Sequence, residues 1–407
     1  MRILMLAQFY PPVIGGEERH VQDLSVALAS RGHTVSVATS WQHGMPAEEH
    51  NQGVHIHRLR GSVHRAGILF SEQERRYAPP FPDPEMMWAL RRIIINERPD
   101  IVHAHNWMVH SFTLLKTWSK AKLVMTLHDC SHACVQKRYM YQGQTLCQGP
   151  GIFKCMSCAT VFYGAAKGIP STALNWFCSD VERRVVDMFL PVSQSMVEAN
   201  QLDSHAVPFR IVPNFVPDDI ETLEEDDAAF ISRLPAKEFM LFVGDLKRDK
   251  GVDVLLQAYA KLDTQVPLVL IGRPGIDAPT SLPPRVLHLQ SWPHKAVMQA
   301  WKRCIIGFVP SLCLESFGIV ALEAMVMGHP IVASNIGGLR DIISHGKTGF
   351  LVAPGDWLAL QQAMQLLLQD PLLREHMGAM AKQRANEFKA SIVVSHIEQV
   401  YQEVLES

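Results

Sequence analysis

Two glutamates, Glu315 and Glu323, stand with seven residues between them where an apolar strand gives way to a helix. The predicted strand covers residues 305–309, and the predicted helix begins near Phe317. Backbone N–H groups at a helix start lack partners and carry the positive end of the helix dipole, so this corner suits a diphosphate. Glu323 lies where a ribose would follow the phosphates, and Glu315 where a second polyol would. The pattern therefore predicts a nucleotide-sugar site.

The elements that must position this corner are short β-rich runs that alternate with helical patterns. The runs are residues 3–7, 34–39, 101–105 and 123–127 in the first half, and 240–243, 267–271, 305–309 and 331–333 in the second. Such alternation predicts an α/β fold with a doubly wound parallel sheet in each half. A proline-containing stretch at 212–217, followed by the acidic run 221–227, is the predicted linker, which gives domains at 1–213 and 214–390.

Four motifs along the chain resemble, in order, those of the retaining glycosyltransferases of family four. They are residues 1–7 with 10–16, residues 242–246 with Lys250 and Gly251, the acid pair, and residues 337–341 with 346–351. A motif is a hypothesis until its context is seen, but four in the family order over almost the whole chain are a specific signal. The resemblance implies a GT-B fold, two facing Rossmann-like domains, with the last helix, residues 391–407, packing back on the first domain.

The implied reaction moves a sugar from a nucleoside diphosphate sugar to a hydroxyl acceptor with retention of configuration. The acceptor class, whether glycan, lipid or small molecule, stays open. Two alternatives also stay open: another GT-B enzyme, such as a phosphorylase or an epimerase, and a catalytically silent nucleotide-sugar binder.

The donor-binding residues follow from these motifs. In the family the residue after Gly244 is commonly an arginine that binds the diphosphate, whereas this chain has Asp245. Either Arg248 supplies the missing charge, or Lys250 and the helix amides suffice, or donor binding is weakened. The predicted donor-binding residues are Gly15, Gly16, Gly244, Arg248, Lys250, Glu315, Ser316, Phe317, Gly318, Ile319 and Glu323.

The predicted catalytic residues are His128, Lys250 and Glu315. His128 ends a strand at the carboxyl edge, where open α/β sheets keep their sites, and the resemblance places it beside the reacting sugar. A purely structural histidine is the alternative. His103 and His105 share one side of their strand, but with no third ligand nearby they are interpreted as polar residues rather than a metal pair.

No cofactor is predicted for catalysis. Fixed N–H groups and Lys250 would stabilise the charge that develops on the leaving diphosphate. No Asp-x-Asp signature stands at a strand end, so no catalytic divalent ion is expected. A carboxylate nucleophile such as Glu315 would be the analogy with retaining glycosidases. The resemblance instead assigns Glu315 to a donor-sugar hydroxyl, with the acceptor attacking from the leaving-group face.

Four cysteines cluster in an insertion at about 130–158 that is interpreted as a loop: Cys134, Cys147, Cys155 and Cys158. The two-residue gap of the last pair lets both thiolates meet one ion, so a structural zinc is predicted, with an iron–sulfur cluster as the alternative. Unligated thiols in a packed loop are the third reading. A subset of family four shows a similar cysteine pattern after the His-Asp strand end, which favours the metal.

Composition narrows the partners and the compartment. A formal net charge of -2 and a pI near 6.8 give no basic surface for nucleic acid, so no nucleic-acid partner is expected. Without a signal-peptide core or a membrane-span pattern, a cytoplasmic location is the default expectation. Residues 86–95 combine bulky apolar side chains with two arginines, so peripheral membrane contact stays open beside the stronger reading of a helix packed on the sheet.

Overall fold

Two parallel sheets organise the chain in the computed structural model, which describes residues 1–13, 15–65, 78–222 and 228–407. Ile14 of the N-terminal motif and residues 223–227 of the acidic run lie outside the described residues. The chain divides into two compact units. The first comprises Met1–Gln142, Cys147–Pro213 and Ala390–Ser407, and the second comprises Gly143–Leu146 and Asn214–Lys389.

The strands before Pro213 are β1 Arg2–Leu6, β2 Thr34–Ser40, β3 Glu48–Asn51, β4 Val54–Leu59, β5 Ile101–Ala104, β6 Lys122–Leu127, β7 Met140–Tyr141, β8 Thr145–Leu146 and β9 Met188–Pro191. Seven of these nine strands build the sheet of the first unit, in the order β3-β4-β2-β1-β5-β6-β9, and among its described strands only β3 runs antiparallel to its neighbour. Residues 3–6 of the central strand β1 are all buried, as expected for a parallel strand covered on both faces.

The strands of the second unit are β10 Met240–Val243, β11 Leu268–Ile271, β12 Val286–Leu289, β13 Ile306–Val309, β14 Ile331–Ser334 and β15 Gly349–Val352. They form a parallel six-stranded sheet in the order β12-β11-β10-β13-β14-β15. Its core joins Phe242, Phe308 and Val332 to the buried sides of the flanking helices. The central position of β10 and β13 brings the chain segments that follow them to one edge.

The helices are α1 Gly16–Ser30, α2 Pro84–Glu97, α3 Val109–Thr113, α4 Ile152–Tyr163, α5 Ala165–Val185, α6 Gln194–Ala199, α7 Ala228–Ile231, α8 Val252–Ala260, α9 His294–Arg303, α10 Ile319–Val326, α11 Leu339–Ile342, α12 Trp357–Gln369, α13 Pro371–Ala385 and α14 Ala390–Glu406. Short 3-10 helices cover Ser62–His64, Asp203–His205, Ile220–Thr222, Arg248–Lys250 and Asn386–Phe388. Over the described ranges, no helix combines the length and apolar composition that a bilayer span requires.

The last helix, α14, belongs to the first unit. Arg31 donates to Glu398 on this helix at 2.5 Å, and the Tyr401 hydroxyl lies 2.6 Å from His103 Nδ1. Tyr401 is completely buried, so the helix contributes to the core of that unit.

The cysteine-rich insertion differs from the predicted loop. Cys155 and Cys158 lie inside helix α4, where Gly151 precedes the first turn and Gly164, at φ 74°, follows the last. The prediction was wrong because Ile152, Phe153 and their apolar neighbours supply a continuous helical run, and the glycines supply its ends. The helix of the acid pair also begins later than predicted, at Ile319 after Gly318.

Candidate functional site

In the second unit, the ends of β10 and β13 bring Lys250 and Glu315 together. The Lys250 ammonium lies 2.6 Å from Glu315 Oε1, and the Ser311 hydroxyl donates to the same oxygen at 2.5 Å. Burial alone raises the pKa of Glu315, but the Lys250 charge and both hydrogen bonds hold it below its ordinary value. Burial alone lowers the pKa of Lys250, but Glu315 raises it overall. Both groups are therefore charged at neutral pH.

Backbone packing fixes the position of this ion pair. Gly251, which ends the 3-10 turn that carries Lys250, has φ 72°, and a Cβ there would lie 1.9 Å from the Pro310 carbonyl oxygen. The N–H of Leu312 donates to the Asp249 carbonyl at 2.8 Å. The loop after β10 is thus locked onto the loop after β13, so Lys250 has little freedom to leave Glu315.

The start of helix α10 has no side-chain cap. Its N-cap residue, Gly318, has φ 98° and provides no side-chain cap, so the first N–H groups are not covered by a capping side chain. A Cβ on Gly337 would lie 2.0 Å from the Glu315 carbonyl oxygen, and the Gly338 N–H donates to that oxygen at 2.8 Å. The paired glycines of the 337–341 motif therefore support the backbone of residues 315–316, while Phe317 is buried beneath it.

Glu323 lies on the second turn of α10 and is almost fully buried. His294, the first residue of α9, places Nε2 2.7 Å from Glu323 Oε1. Sequence reasoning missed His294. The available signal was its position at a helix start shortly after strand β12, on the edge where the other site residues lie. We name the group formed by Lys250, Ser311, Glu315, Gly318 and Glu323 the donor corner.

Asp245, which occupies the position where the family commonly has an arginine, is paired with two cations. Its carboxylate lies 3.1 Å from Lys247 Nζ and 3.3 Å from Arg273 Nε. Burial alone raises the pKa of Asp245, but these two cations hold it below its ordinary value. Arg248 donates its backbone N–H to Asp277 at 2.9 Å. The position after Gly244 therefore carries an anion that is paired with two cations, of which sequence reasoning missed both.

In the first unit, Gly15 and Gly16 open helix α1. A Cβ on Gly15 would lie 2.0 Å from the Glu18 carboxylate, so this glycine makes room for that group. Next to it, Glu17 accepts a hydrogen bond from Asn106 at 2.6 Å. Burial raises the pKa of Glu17 to about 8, against the opposing effect of the Lys137 charge. Glu17, which the sequence analysis did not select, can therefore change protonation near neutral pH.

His128 lies at the end of β6 with two other histidines around it. Its Nε2 is 3.1 Å from His105 Nδ1, and its ring centroid is 4.8 Å from that of His20. One ring nitrogen from each of the three lies within 4.8 Å of the others. The argument that His103 and His105 lack a third ligand nearby was wrong, because helix α1 brings His20 to the strand ends. We name His20, His105 and His128 the histidine cluster.

The histidine cluster is buried, and two of its three rings have strongly lowered pKa values. Burial lowers the pKa of His20 and His105 well below the ordinary value, and neighbouring histidines act in the same direction. Burial also lowers the pKa of the adjacent His103 to about 3. His103 is held between the Tyr401 hydroxyl at 2.6 Å and the Thr126 hydroxyl at 2.7 Å. His20, His103 and His105 can therefore exchange hydrogen bonds with a neutral ligand but carry no charge at neutral pH.

The four predicted metal-binding cysteines are all free thiols. Cys155 accepts a hydrogen bond from the Gly151 N–H at 3.3 Å, and Cys158 accepts one from the Gln142 N–H at 3.1 Å. The sulfur of Cys147 lies 3.3 Å from the Gly149 carbonyl oxygen. Among the described residues, compact groups of three ligand-type atoms are formed by histidines and a glutamate, and these cysteines do not form one.

Comparisons with known proteins agree over the whole chain. The family model Glycosyltransferase Family 4 matches residues 14–220, and the model Glycosyl transferases group 1 matches residues 224–384. Glycogen synthase of Mycobacterium tuberculosis is 27% identical, covering 98% of this chain and 94% of the relative. N-acetyl-alpha-D-glucosaminyl L-malate synthase of Bacillus anthracis is 25% identical, covering 97% of this chain and 95% of the relative.

Solved structures show the same fold. Sucrose-phosphate synthase from Thermosynechococcus elongatus superposes with a TM-score of 0.74 at 21% identity, covering 100% of this chain and 99% of its own. Anabaena HepE, solved in complex with UDP-glucose, gives a TM-score of 0.68 at 18% identity, covering 99% and 100%. Because a family model matches half of the chain and the fold agrees, the chain belongs to Glycosyltransferase Family 4 and is a retaining glycosyltransferase of the GT-B fold that uses a nucleotide sugar.

Proposed function

We propose that the donor corner binds the diphosphate and sugar of the donor and supplies the main charge stabilisation for transfer. The observation that carries this proposal is the Lys250–Glu315 pair, held by Ser311 beside the uncapped start of α10. A cation and a helix N-terminus on one edge form an anion site. The carboxylate between them prevents the site from being purely cationic and suits a ligand that has hydroxyls next to its phosphates.

Lys250 is proposed to contact the leaving phosphate. An ammonium group has three donors, and Glu315 engages one of them, so Lys250 can bind phosphate without giving up its partner. The N–H groups at the start of α10 would bind the same diphosphate. Both groups stabilise the charge that grows on the phosphate as the anomeric C–O bond breaks, which is where fixed dipoles lower a barrier.

Glu315 is proposed to accept a hydrogen bond from a donor-sugar hydroxyl rather than to act as a nucleophile. Its pKa lies below the ordinary value, and Lys250 and Ser311 share one of its oxygens. These contacts weaken it as a nucleophile and leave the other oxygen for a hydroxyl. The acceptor oxygen would then bond to the anomeric carbon on the leaving-group face, and its proton would pass to the departing phosphate oxygen. This route needs no divalent metal, as family membership also implies.

Glu323 is proposed to bind the ribose hydroxyls, oriented by His294. The buried carboxylate has lost most of its water, so two hydroxyls would replace it well. His128, with the buried histidine cluster, is proposed to contact the transferred sugar or the acceptor through their hydroxyls. Gly15 and Gly16 are proposed to let backbone approach the donor.

A silent nucleotide-sugar binder is the second candidate, because Asp245 occupies a position at which the family commonly has a diphosphate-binding cation. Its pairing with Lys247 and Arg273 weakens this candidate, since the local charge of the three groups is positive. Turnover separates the two candidates.

The cysteines of the insertion are proposed to hold a structural zinc, with an iron–sulfur cluster as the alternative, and to place this chain in the cysteine-containing subset of the family. Two observations support a thiolate site: backbone N–H groups point at the sulfurs of Cys155 and Cys158, and no disulfide engages them. The Gly151 N–H lowers the pKa of Cys155, but burial raises it above its ordinary value overall, so a bound metal ion would have to supply the charge that stabilises this thiolate.

Peripheral membrane contact is proposed for the surface around α2. Trp88 is 61% exposed and Trp118 is 70% exposed, with the Arg92 and Arg91 guanidinium groups 5.0 Å from their respective ring centroids. Exposed tryptophan beside arginine is typical of an interfacial surface. Co-sedimentation with anionic vesicles tests this, and wild-type binding by a Trp88→Ser, Trp118→Ser variant would contradict it.

The donor proposal is tested by thermal denaturation with a panel of nucleoside diphosphate sugars, beginning with UDP-glucose because a solved relative binds it. A donor at a hundred times its dissociation constant stabilises the folded chain by about 2.7 kcal/mol. Glu323→Ala should lose this stabilisation. Release of nucleoside diphosphate with an acceptor mixture then establishes transfer. Stabilisation without turnover for every acceptor would favour the silent binder, and no stabilisation by any donor would refute the site.

A further inference from the structure

A second polar cluster lies on the outer edge of the first sheet, away from the residues assigned above. Strand β3 pairs antiparallel with β4, which sets Glu48 opposite His57 and His50 opposite His55. Side chains two residues apart on a strand share a face, so all four project from the same face of this hairpin. The ring planes of His50 and His55 stack with centroids 4.2 Å apart, which restricts the orientation of His55.

Glu97, the last residue of α2, contacts one nitrogen of each of two rings. Its Oε1 is 2.6 Å from His57 Nε2 and 3.3 Å from His55 Nδ1. The Ser36 hydroxyl donates to its other oxygen at 2.5 Å, which anchors the carboxylate. Glu97 therefore fixes which nitrogen of each imidazole points away from it.

The second ring nitrogen of His55 and of His57, the one that does not contact Glu97, faces Glu48. His55 Nε2 is 3.8 Å from Glu48 Oε2, and His57 Nδ1 is 3.9 Å from Glu48 Oε1. One ligand-type atom from each of Glu48, His55 and His57 lies within 4.8 Å of the others. Separations of 3.8 and 3.9 Å are too long for hydrogen bonds. Two ligand atoms on one tetrahedral zinc lie roughly 3.4 Å apart, so a small closure of the Glu48 side chain forms a site.

We propose that Glu48, His55 and His57 bind one divalent metal ion of borderline softness, zinc foremost. Two imidazoles and a carboxylate are a common zinc ligand set, and ligating histidines usually donate their second ring N–H to a carboxylate, the role that Glu97 has here. The Glu48 side chain is 71% exposed, so water can take the fourth position. The ion would join β3, an edge strand, to β4 and to the end of α2.

An imidazolium–carboxylate network is the other explanation of the same contacts. It accounts for the Glu97 side, where the distances are those of hydrogen bonds, but it gives no role to Glu48, whose carboxylate the strand register sets beside both rings beyond hydrogen-bond distance. The two carboxylates also balance a divalent charge. The proposal does not depend on the proposed transfer reaction, since none of these residues belongs to the donor corner or to the histidine cluster.

Zinc titration by calorimetry tests the proposal, with the metal removed beforehand and folding checked by circular dichroism. Wild type should bind one more zinc per chain than His55→Gln. Glu48→Gln changes only an exposed side chain and should lose the same site without any effect on folding. Glu97→Gln should keep the ligands but bind about 10- to 100-fold more weakly. His43→Gln, an exposed histidine outside the cluster, is the matched control and should bind as wild type does.

Zinc bound at the cysteines or at the histidine cluster would appear equally in wild type and in all four variants, so it cancels from the comparison. Equal stoichiometry and affinity in wild type, Glu48→Gln and His55→Gln would overturn the proposal. An unchanged affinity in Glu97→Gln would overturn the orienting role of that carboxylate.

Discussion

The donor corner of the second unit and the histidine cluster of the first unit differ in the charge of their polar side chains. The donor corner keeps a full ion pair, Lys250 with Glu315, next to an uncapped helix start. The histidine cluster packs three buried rings together, and burial keeps the pKa values of His20 and His105 well below the ordinary value, so these two rings carry no charge at neutral pH. A diphosphate binds best to charged groups, whereas sugar and acceptor hydroxyls bind to hydrogen-bond partners without charge, and for this reason donor binding is proposed for the donor corner and hydroxyl contact for the histidine cluster.

Removing a charged side chain from the donor corner should have the largest effect on transfer. Lys250→Ala and Glu323→Ala should each lower kcat/KM by about 30- to 1000-fold, since one lost charge-assisted contact costs on the order of 2 to 4 kcal/mol in the transition state. Steady-state kinetics on folded protein measures this. Lys261→Ala, an exposed lysine at the end of α8, is the matched control. Lys250→Arg should recover part of the rate, and wild-type turnover in both alanine variants would contradict the assignment of the donor corner.

Removing His128 from the histidine cluster should have a smaller effect, on kcat rather than on donor binding. His128→Ala should lower kcat by about 10- to 100-fold, because it leaves a sugar or acceptor hydroxyl without its hydrogen-bond partner, which costs on the order of 1 to 3 kcal/mol. Donor binding, measured as the thermal shift with the donor, should change little. The comparison would fail if His128→Ala abolished donor binding as Glu323→Ala does, since the histidine would then act on the donor as a whole.

The neutrality of the histidines also predicts a pH dependence of stability. The folded chain holds His103 neutral with a pKa of about 3, whereas the unfolded chain protonates it below its ordinary value of 6.5. The unfolded state therefore gains a proton as the pH falls, and this one group costs the folded state about 2 kcal/mol between pH 7.5 and 5. The drop in Tm over this range should be smaller for His103→Gln than for wild type. His396→Gln, an exposed histidine, should match wild type, and an equal drop in all three proteins would contradict the prediction.

The fold and the donor corner were largely predictable from the sequence, because both depend on local patterns. Apolar runs and glycine positions predict the strand that precedes Glu315 and the helix that carries Glu323, and the comparisons confirmed the GT-B fold. The roles of the individual site residues stay predictions. His20 and His294 were missed, since each reaches its partner through tertiary packing, and the position of His294 at a helix start did not identify Glu323 as that partner. Helix α4, by contrast, was predictable from its apolar run but was missed, because cysteine spacing was given more weight than helical periodicity.

The cysteines of the insertion provide a further test of the first unit, through metal content and acceptor binding. If they hold a metal, purified wild type should contain zinc that Cys155→Ser loses, or a visible iron–sulfur chromophore. Because the insertion follows His128 in the chain, Cys155→Ser should raise the KM for acceptor about tenfold while donor affinity stays near wild type. Elemental analysis and kinetics test both parts. Cys304→Ser, a buried thiol of the second unit, is the control for a general loss of stability. Metal-free, fully active wild type would refute the site.

Substitution of Asp245 should have the smallest effect, and it tests which cations bind the diphosphate. Asp245→Asn would free Lys247 and Arg273 from their shared carboxylate. If these cations reach the diphosphate, donor affinity should rise about 3- to 10-fold, the scale of a partly exposed ion pair near 1 kcal/mol. Arg248→Ala should lower donor affinity by a similar factor if Arg248 supplies the missing charge. Isothermal titration with the donor measures both. Wild-type affinity in both variants would mean that Lys250 and the α10 amides alone neutralise the diphosphate, because no other assigned cation lies on that edge in the described residues.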